Sequence, residues 1–174
     1  MLCFFIHSQE EKMKITDTAV FETTMGKITI GLYGEDMPGT VKNFIKHVDA
    51  KFYNKLIFHR VIEGFVIQGG GMLKGMYEKT AMVEPIKLER NPNILHKKYT
   101  LSMARTSEPN SATSQFFICT EDCPSLDNNY AAFGTVTEGM DVVDAIAKVK
   151  TTSVRIYDDV PVDPIVIENG YMVK

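Results

Sequence analysis

The chain of 174 residues contains no tryptophan and only three cysteines. Its longest apolar run near the start, Leu2-Cys3-Phe4-Phe5-Ile6, has five residues. So few cysteines, and an odd number, exclude a disulfide framework and favour a reducing compartment. Five apolar residues are too few to cross a bilayer. They also lack the basic flank and small-residue cleavage site of a secretory signal. No basic excess is present: 19 Lys and Arg stand against 22 Asp and Glu, a net charge of −3. That balance gives no electrostatic basis for holding nucleic acid or an anionic membrane. The C-terminal Tyr171-Met172-Val173-Lys174 carries no retention or peroxisomal address. A cytoplasmic protein is expected, with neither a nucleic-acid nor a membrane partner.

What is present is ordinary for a globular chain, 44% hydrophobic and 24% charged. A chain of this length is one domain's worth and buries roughly 70% of its unfolded surface. No repeat or linker interrupts it. The expected organisation is a single domain over residues 14–174, preceded by an extension over residues 1–13 without catalytic role. Met13 stands as an alternative start.

Periodicity predicts a hairpin first. Residues 20–24 and 27–32 flank Met25-Gly26, a two-residue turn with glycine where positive φ is needed. Ile28, Ile30 and Leu32 alternate with Lys27, Thr29 and Gly31, the mark of a half-buried strand. The period then changes: Val41, Phe44, Ile45 and Val48 form one helical stripe. Pro38 sits where a first-turn proline is tolerated, and Glu35 and Asp36 lie where a helix dipole favours negative charge. A second stripe, Met140, Val143, Ile146 and Val149, opens after Gly139. Short strands are predicted at 57–62, 65–68, 99–104, 115–119, 131–136 and 165–171. Many short strands with few helices indicate a mainly β sandwich or barrel, with the helices as caps.

Several chemistries find no support. Gly69-Gly70-Gly71-Met72-Leu73-Lys74-Gly75 lacks the Gly-Lys-Ser/Thr end of a phosphate loop and reads as a turn. Cys119 and Cys123 have neither redox nor zinc-knuckle spacing, and read as a buried strand thiol and a loop thiol. The four histidines are scattered, with His59 structural, so neither metal nor cofactor is expected. Asp158-Asp159 reads as a solvated turn, and no nucleophile-elbow serine appears.

Three segments stand out together. They are Phe58-His59-Arg60-Val61-Ile62-Glu63-Gly64-Phe65-Val66-Ile67-Gln68-Gly69-Gly70, Leu101-Ser102-Met103-Ala104-Arg105-Thr106 and Ser114-Gln115-Phe116-Phe117-Ile118-Cys119-Thr120. With Asn129-Tyr130-Ala131-Ala132-Phe133-Gly134 and Gly139-Met140-Asp141-Val142-Val143, they resemble the cyclophilin family of peptidyl-prolyl cis/trans isomerases over about residues 20–167. The resemblance implies an eight-stranded antiparallel β-barrel capped by two α-helices, with an external groove that binds proline-containing segments of unfolded or flexible proteins. It implies Arg60 as the catalytic cation and Phe65, Val66, Phe117 and Leu126 as the wall of a proline pocket. Gln68 would anchor the substrate carbonyl and orient Arg60. Ala104, Arg105 and Thr106 would lie along the residues before proline, with Gln115 lining the groove and Tyr130 closing it. A monomer that assists protein folding is expected.

Taken alone, these positions leave the assignment open. Phe65 and Phe117 read as core aromatics more often than as ligand contacts, and Arg60 and Gln68 fit a groove and an exposed barrel face equally. A non-catalytic proline-peptide binder on the same scaffold is the alternative. The absent tryptophan gains a location here. Ser125 stands where many eukaryotic members carry the indole that helps to bind cyclosporin, so only weak cyclosporin binding is expected. Tyr130 stands where many of them carry His. The stretch 105–114 and the compact Asp127-Asn128-Asn129-Tyr130 loop resemble the prokaryotic branch.

Overall fold

The computed structural model of the protein describes residues 13–174. In chain order these form strands β1 (Asp17–Thr23) and β2 (Gly26–Leu32), helix α1 (Pro38–Asp49), and strands β3 (Leu56–Ile57), β4 (Arg60–Ile62), β5 (Val66–Gly69), β6 (Met72–Leu73), β7 (Tyr77–Glu78), β8 (Thr100–Met103) and β9 (Phe116–Cys119). A 3-10 turn (Pro124–Leu126), β10 (Ala132–Glu138), helix α2 (Met140–Ile146), β11 (Thr151–Val154), β12 (Tyr157–Pro161) and β13 (Ile167–Met172) complete the fold. The expected N-terminal extension lies outside the described residues except for Met13, which packs half-buried against the main core.

Eight strands form one curled antiparallel sheet in the order β13-β1-β2-β10-β8-β9-β5-β4. Its two edges meet through the chain just before β4. The Lys55 N–H donates to the Ile167 carbonyl at 2.8 Å and the Phe58 N–H to that of Ile165 at 3.0 Å. Ile57 bridges Val166 between them. The barrel seam is therefore held by a few bonds rather than a full ladder. Strands β3, β6 and β7 make a small second sheet, and β11 pairs with β12 in a separate hairpin.

Side chains alternate across a strand, and this decides what faces the core. On β9, Phe116 and Ile118 enter the main core, while Phe117 and Cys119 join a separate outer cluster with Val66 and Cys123. Inside, Phe21, Phe44, Tyr53 and Phe116 pack with ring centroids 5.4–5.9 Å apart. Phe44 arrives from α1, whose buried face includes Val41, Phe44 and Val48 as the stripe predicts. Ile45 lies half-buried at its flank.

The structure moves several boundaries. The hairpin turn is Thr24-Met25, because Gly26 already pairs with Thr23. The Thr23 hydroxyl locks it, accepting from the Met25 N–H at 3.1 Å and donating to the Gly26 carbonyl at 2.7 Å. The strand expected at 57–62 breaks in two, since Phe58 bonds across the seam while β4 pairs with β5. Helix α2 ends at Ile146, and Val149 packs from the segment beyond it. Asp158 and Asp159 lie in β12 rather than in a turn. The acid at the N-terminus of α1 is also not the neighbouring pair. Glu35 bonds Lys14, and Asp36 accepts from Asn91 Nδ2 at 3.3 Å. Instead Glu89, distant in sequence, accepts from the N–H groups of Gly39 at 2.9 Å and Thr40 at 2.6 Å.

Candidate functional site

The register places one transverse row of side chains on the outer face of the sheet. Arg60 on β4 stands opposite Gln68 on β5, Gln68 opposite Phe117 on β9, and Phe117 opposite Ser102 on β8. The row runs from an exposed cation through a half-buried amide to a buried ring. Among the described residues no carboxylate lies within 4.0 Å of the Arg60 guanidinium, which lines the groove, and no hydrogen bond joins it to Gln68, whose amide bonds Gln115 instead.

Beside this row, Val66, Phe117, Cys119 and Cys123 form an apolar floor, with Phe65, Ala104, Leu126 and Tyr130 packed against it. The Phe117 ring is held from two sides. Tyr130 meets it edge-on with centroids 5.7 Å apart, and His96 stacks on it at 6.0 Å. His96 is itself fixed, its Nδ1 3.0 Å from Asp127 Oδ1 and its Nε2 3.0 Å from the Ser102 hydroxyl. Burial keeps its pKa below the ordinary imidazole value despite the Asp127 carboxylate. A neutral ring donating to Asp127 and accepting from Ser102 satisfies both contacts. This support has no local signature, because Asp127 and Phe117 lie far from His96 along the chain.

Gln68 Nε2 donates to Gln115 Oε1 at 3.1 Å, which joins the two amides into one edge of the groove. The glycine run makes room for them. A Cβ on Gly71 would lie 2.6 Å from the Gln115 side chain, and Gly70 has φ +89° with the Ser114 carbonyl 2.8 Å from its Cβ position. This is the turn of unusual conformation that the glycine run predicts.

A cavity of about 370 Å3 results. It is lined by every expected site residue except Thr106: Arg60, Phe65, Val66, Gln68, Ala104, Arg105, Gln115, Phe117, Leu126 and Tyr130. Thr106 is engaged elsewhere, its N–H and hydroxyl both bonded to the Ser111 hydroxyl. The sequence reading did not anticipate His59, Met72, Tyr157 and Asp158 in the lining. The hairpin segment that carries Tyr157 and Asp158 has no pattern that points at a groove on another sheet. His59 is buried, and its pKa falls to about 4 through desolvation first and the neighbouring Arg60 cation second. It is neutral at pH 7. Burial raises the pKa of both Cys119 and Cys123, so neither thiol is activated. Among the described residues no group of three His, Cys, Asp or Glu is placed to hold a metal ion.

Arg105 is used through its side chain. Its guanidinium donates to the Asn129 carbonyl at 2.8 Å and the Thr106 carbonyl at 2.9 Å, and lies 4.6 Å over the Tyr130 ring. It thereby clamps the wall that carries Tyr130. Ser125 sits in the 3-10 turn beside Leu126, exposed and contributing nothing to the cavity lining.

Comparison with known proteins gives a consistent result. The family described as cyclophilin type peptidyl-prolyl cis-trans isomerase/CLD matches residues 18–171. Peptidyl-prolyl cis-trans isomerase cyp18 of Streptomyces antibioticus is 45% identical over 161 residues, covering 88% of this chain and 96% of its own. Peptidyl-prolyl cis-trans isomerase B of Escherichia coli is 45% identical over 157 residues, covering 86% and 95%. Among solved structures, a cyclophilin type isomerase of Cryptosporidium parvum, determined in the presence of the dipeptide Ala-Pro, superimposes with a TM-score of 0.77 at 26% identity. It covers 90% of this chain and 99% of its own.

Proposed function

The chain belongs to the cyclophilin family of peptidyl-prolyl cis-trans isomerases, and from that membership we propose how its groove performs the reaction. The X–Pro bond resists rotation by about 18–20 kcal/mol because nitrogen shares its lone pair with the carbonyl. Unaided exchange takes tens to hundreds of seconds. No bond breaks, so the protein has only to favour the twisted state over the planar ones. In that state the prolyl nitrogen is pyramidal and its lone pair is free.

The groove supplies three parts. The prolyl ring seats on Val66 and Phe117, between Phe65, Leu126 and Tyr130, which excludes water from one side of the bond. Gln68 holds a substrate carbonyl, steadied by Gln115. Arg60 donates to the freed lone pair as a permanent cation with a rigid fork of donors. A fixed positive charge aimed at the developing lone pair follows the same electrostatic logic as an oxyanion hole. Ala104 and Arg105 line the side along which the residues before proline run. The carrying observation is the cross-strand row, which sets Arg60 and Gln68 at the rim of the Phe117 floor within one cavity.

The substrates are proline-containing segments of unfolded or flexible proteins, as suits a cavity that holds one ring and leaves the chain on either side free. The Ala-Pro dipeptide present with the Cryptosporidium relative supports that class. The domain acts as a monomer, in the cytoplasm, in protein folding. The test is cis/trans exchange of an X-Pro peptide followed by NMR. The protein accelerates it, and Arg60→Ala lowers kcat/KM by about 10²–10³-fold while the fold is retained, the range for removing one preorganised donor. Full activity in that variant would remove Arg60 from the mechanism, and binding without acceleration would make the protein a peptide-binding module.

A further inference from the structure

The cavity extends past Arg60 onto a separate element, the β11–β12 hairpin. This hairpin is no part of the eight-stranded sheet. It is anchored by a second apolar cluster in which Val160, Val154 and Tyr157 pack with Ile57, Met72 and Met76. Through β12 it lies against β4, the strand that carries Arg60. Two of its residues, Tyr157 and Asp158, reach the cavity.

Among the described residues Asp158 is the one carboxylate in that lining, and Arg60 and Arg105 are the cations. Arg105 is already committed to backbone carbonyls and to Tyr130. Asp158 is differently placed. The Ser153 hydroxyl donates to its Oδ1 at 2.6 Å, and among the described residues no cation lies within 4.0 Å of it. One oxygen is thus held by the hairpin and the carboxylate keeps an unneutralised charge at the groove end. A fixed charge at a rim discriminates between substrates by the sign of what approaches it.

The direction of the bound chain follows from the proposed reading of the site, on which this inference rests. The residues before proline run along Ala104 and Arg105, at the β8 side. The residues after it then cross β4 toward β12. We propose that Asp158 is a specificity-determining residue for this isomerase, selecting X-Pro segments that carry Lys or Arg within the two positions after proline.

The test uses three peptides with an alanine-proline bond followed by two lysines, two alanines or two glutamates. Exchange is measured by NMR, and peptide binding is read separately from chemical-shift titration. The wild-type protein prefers the lysine peptide over the glutamate peptide by about two- to tenfold at low salt, the scale of one or two exposed ion pairs. The ratio shrinks toward one at high salt, as screening requires. Asp158→Asn brings the ratio to one or below, and Asp158→Lys inverts it. Glu63→Gln, which removes a carboxylate on the β4–β5 turn outside the lining, leaves it at the wild-type value. An unchanged ratio in Asp158→Asn would overturn the assignment. So would an equal loss on all three peptides with the ratio retained, which would make Asp158 a positioning residue for Arg60. The titration separates the two levels of the argument. The same charge preference in binding, without accelerated exchange, would sink the isomerase mechanism and leave the role of Asp158 standing. A lack of binding to any of the peptides would sink both.

Discussion

At the scale of single residues, the site is an apolar floor with few polar groups, of which Gln68, Gln115 and Arg105 are braced by hydrogen bonds. Arg105 illustrates how one exposed cation braces a pocket wall. Its guanidinium ties the Asn129 carbonyl and the Tyr130 ring to the strip before it. Arg105→Ala is expected to raise KM about two- to fivefold with a smaller change in kcat. A cation–π contact at an exposed site is worth ~0.5–1 kcal/mol, and the lost contact loosens the pocket wall rather than the reacting end. Steady-state kinetics on one X-Pro peptide checks the split. Ser125 stands where many eukaryotic members carry an indole. With no ring at that rim position, cyclosporin is expected to bind weakly, and Ser125→Trp to tighten it. Inhibition titrations of both proteins decide the matter, and nanomolar inhibition of the wild-type protein would show the argument from Ser125 to be wrong.

At the scale of elements, α1 depends on a contact its own sequence does not contain. The helix has no side-chain cap from its flanking residues and no acid in its first turn. Glu89 satisfies the N–H groups of Gly39 and Thr40 from a loop remote in sequence, placing negative charge at the positive end of the helix dipole. Glu89→Ala is expected to cost about 1–2 kcal/mol, the usual loss for an N-terminal cap. At this chain length that lowers Tm by about 2–8 °C, measurable by calorimetry. Because α1 delivers Phe44 to the aromatic core beneath Phe116, the same contact helps to hold the strand on whose outer face Phe117 stands.

At the scale of the whole molecule, three buried histidines set an acid limit. Burial lowers the pKa of His47, His59 and His96 from the ordinary 6.5, that of His59 to about 4. Each group binds its proton more readily in the unfolded chain. Stability is therefore complete above about pH 6.5 and falls as pH drops toward the folded-state values. For His59 alone the loss amounts to about 3 kcal/mol by pH 4. Thermal unfolding between pH 7 and 4 should show Tm falling steeply below pH 6, and His59→Gln should flatten the profile. A flat wild-type profile would contradict the burial argument. The net charge of −3 adds a functional counterpart, since a near-neutral surface does not recruit substrate from a distance. Selection by charge is left to local groups in the groove.

The sequence by itself determined the periodic elements and, through the resemblance its motifs carry, the family. The alternation of Ile28, Ile30 and Leu32 with Lys27, Thr29 and Gly31 was present in the string, and so was the stripe of α1. Both are local patterns, which is why they were legible. What the string could not show was which face of an alternating strand is the groove. Phe117 reads as core until its neighbours are known, and it lies outside the main core because β9 stands between β5 and β8 with Phe116 turned inward. Tertiary structure alone decided the distant partners: Glu89 on α1, His96 behind Phe117, and the β11–β12 hairpin that brings Asp158 to the groove. Strand pairing and burial join residues that chain separation keeps apart. A carboxylate read from local sequence as a solvated turn becomes part of a binding surface only when another sheet is folded against it.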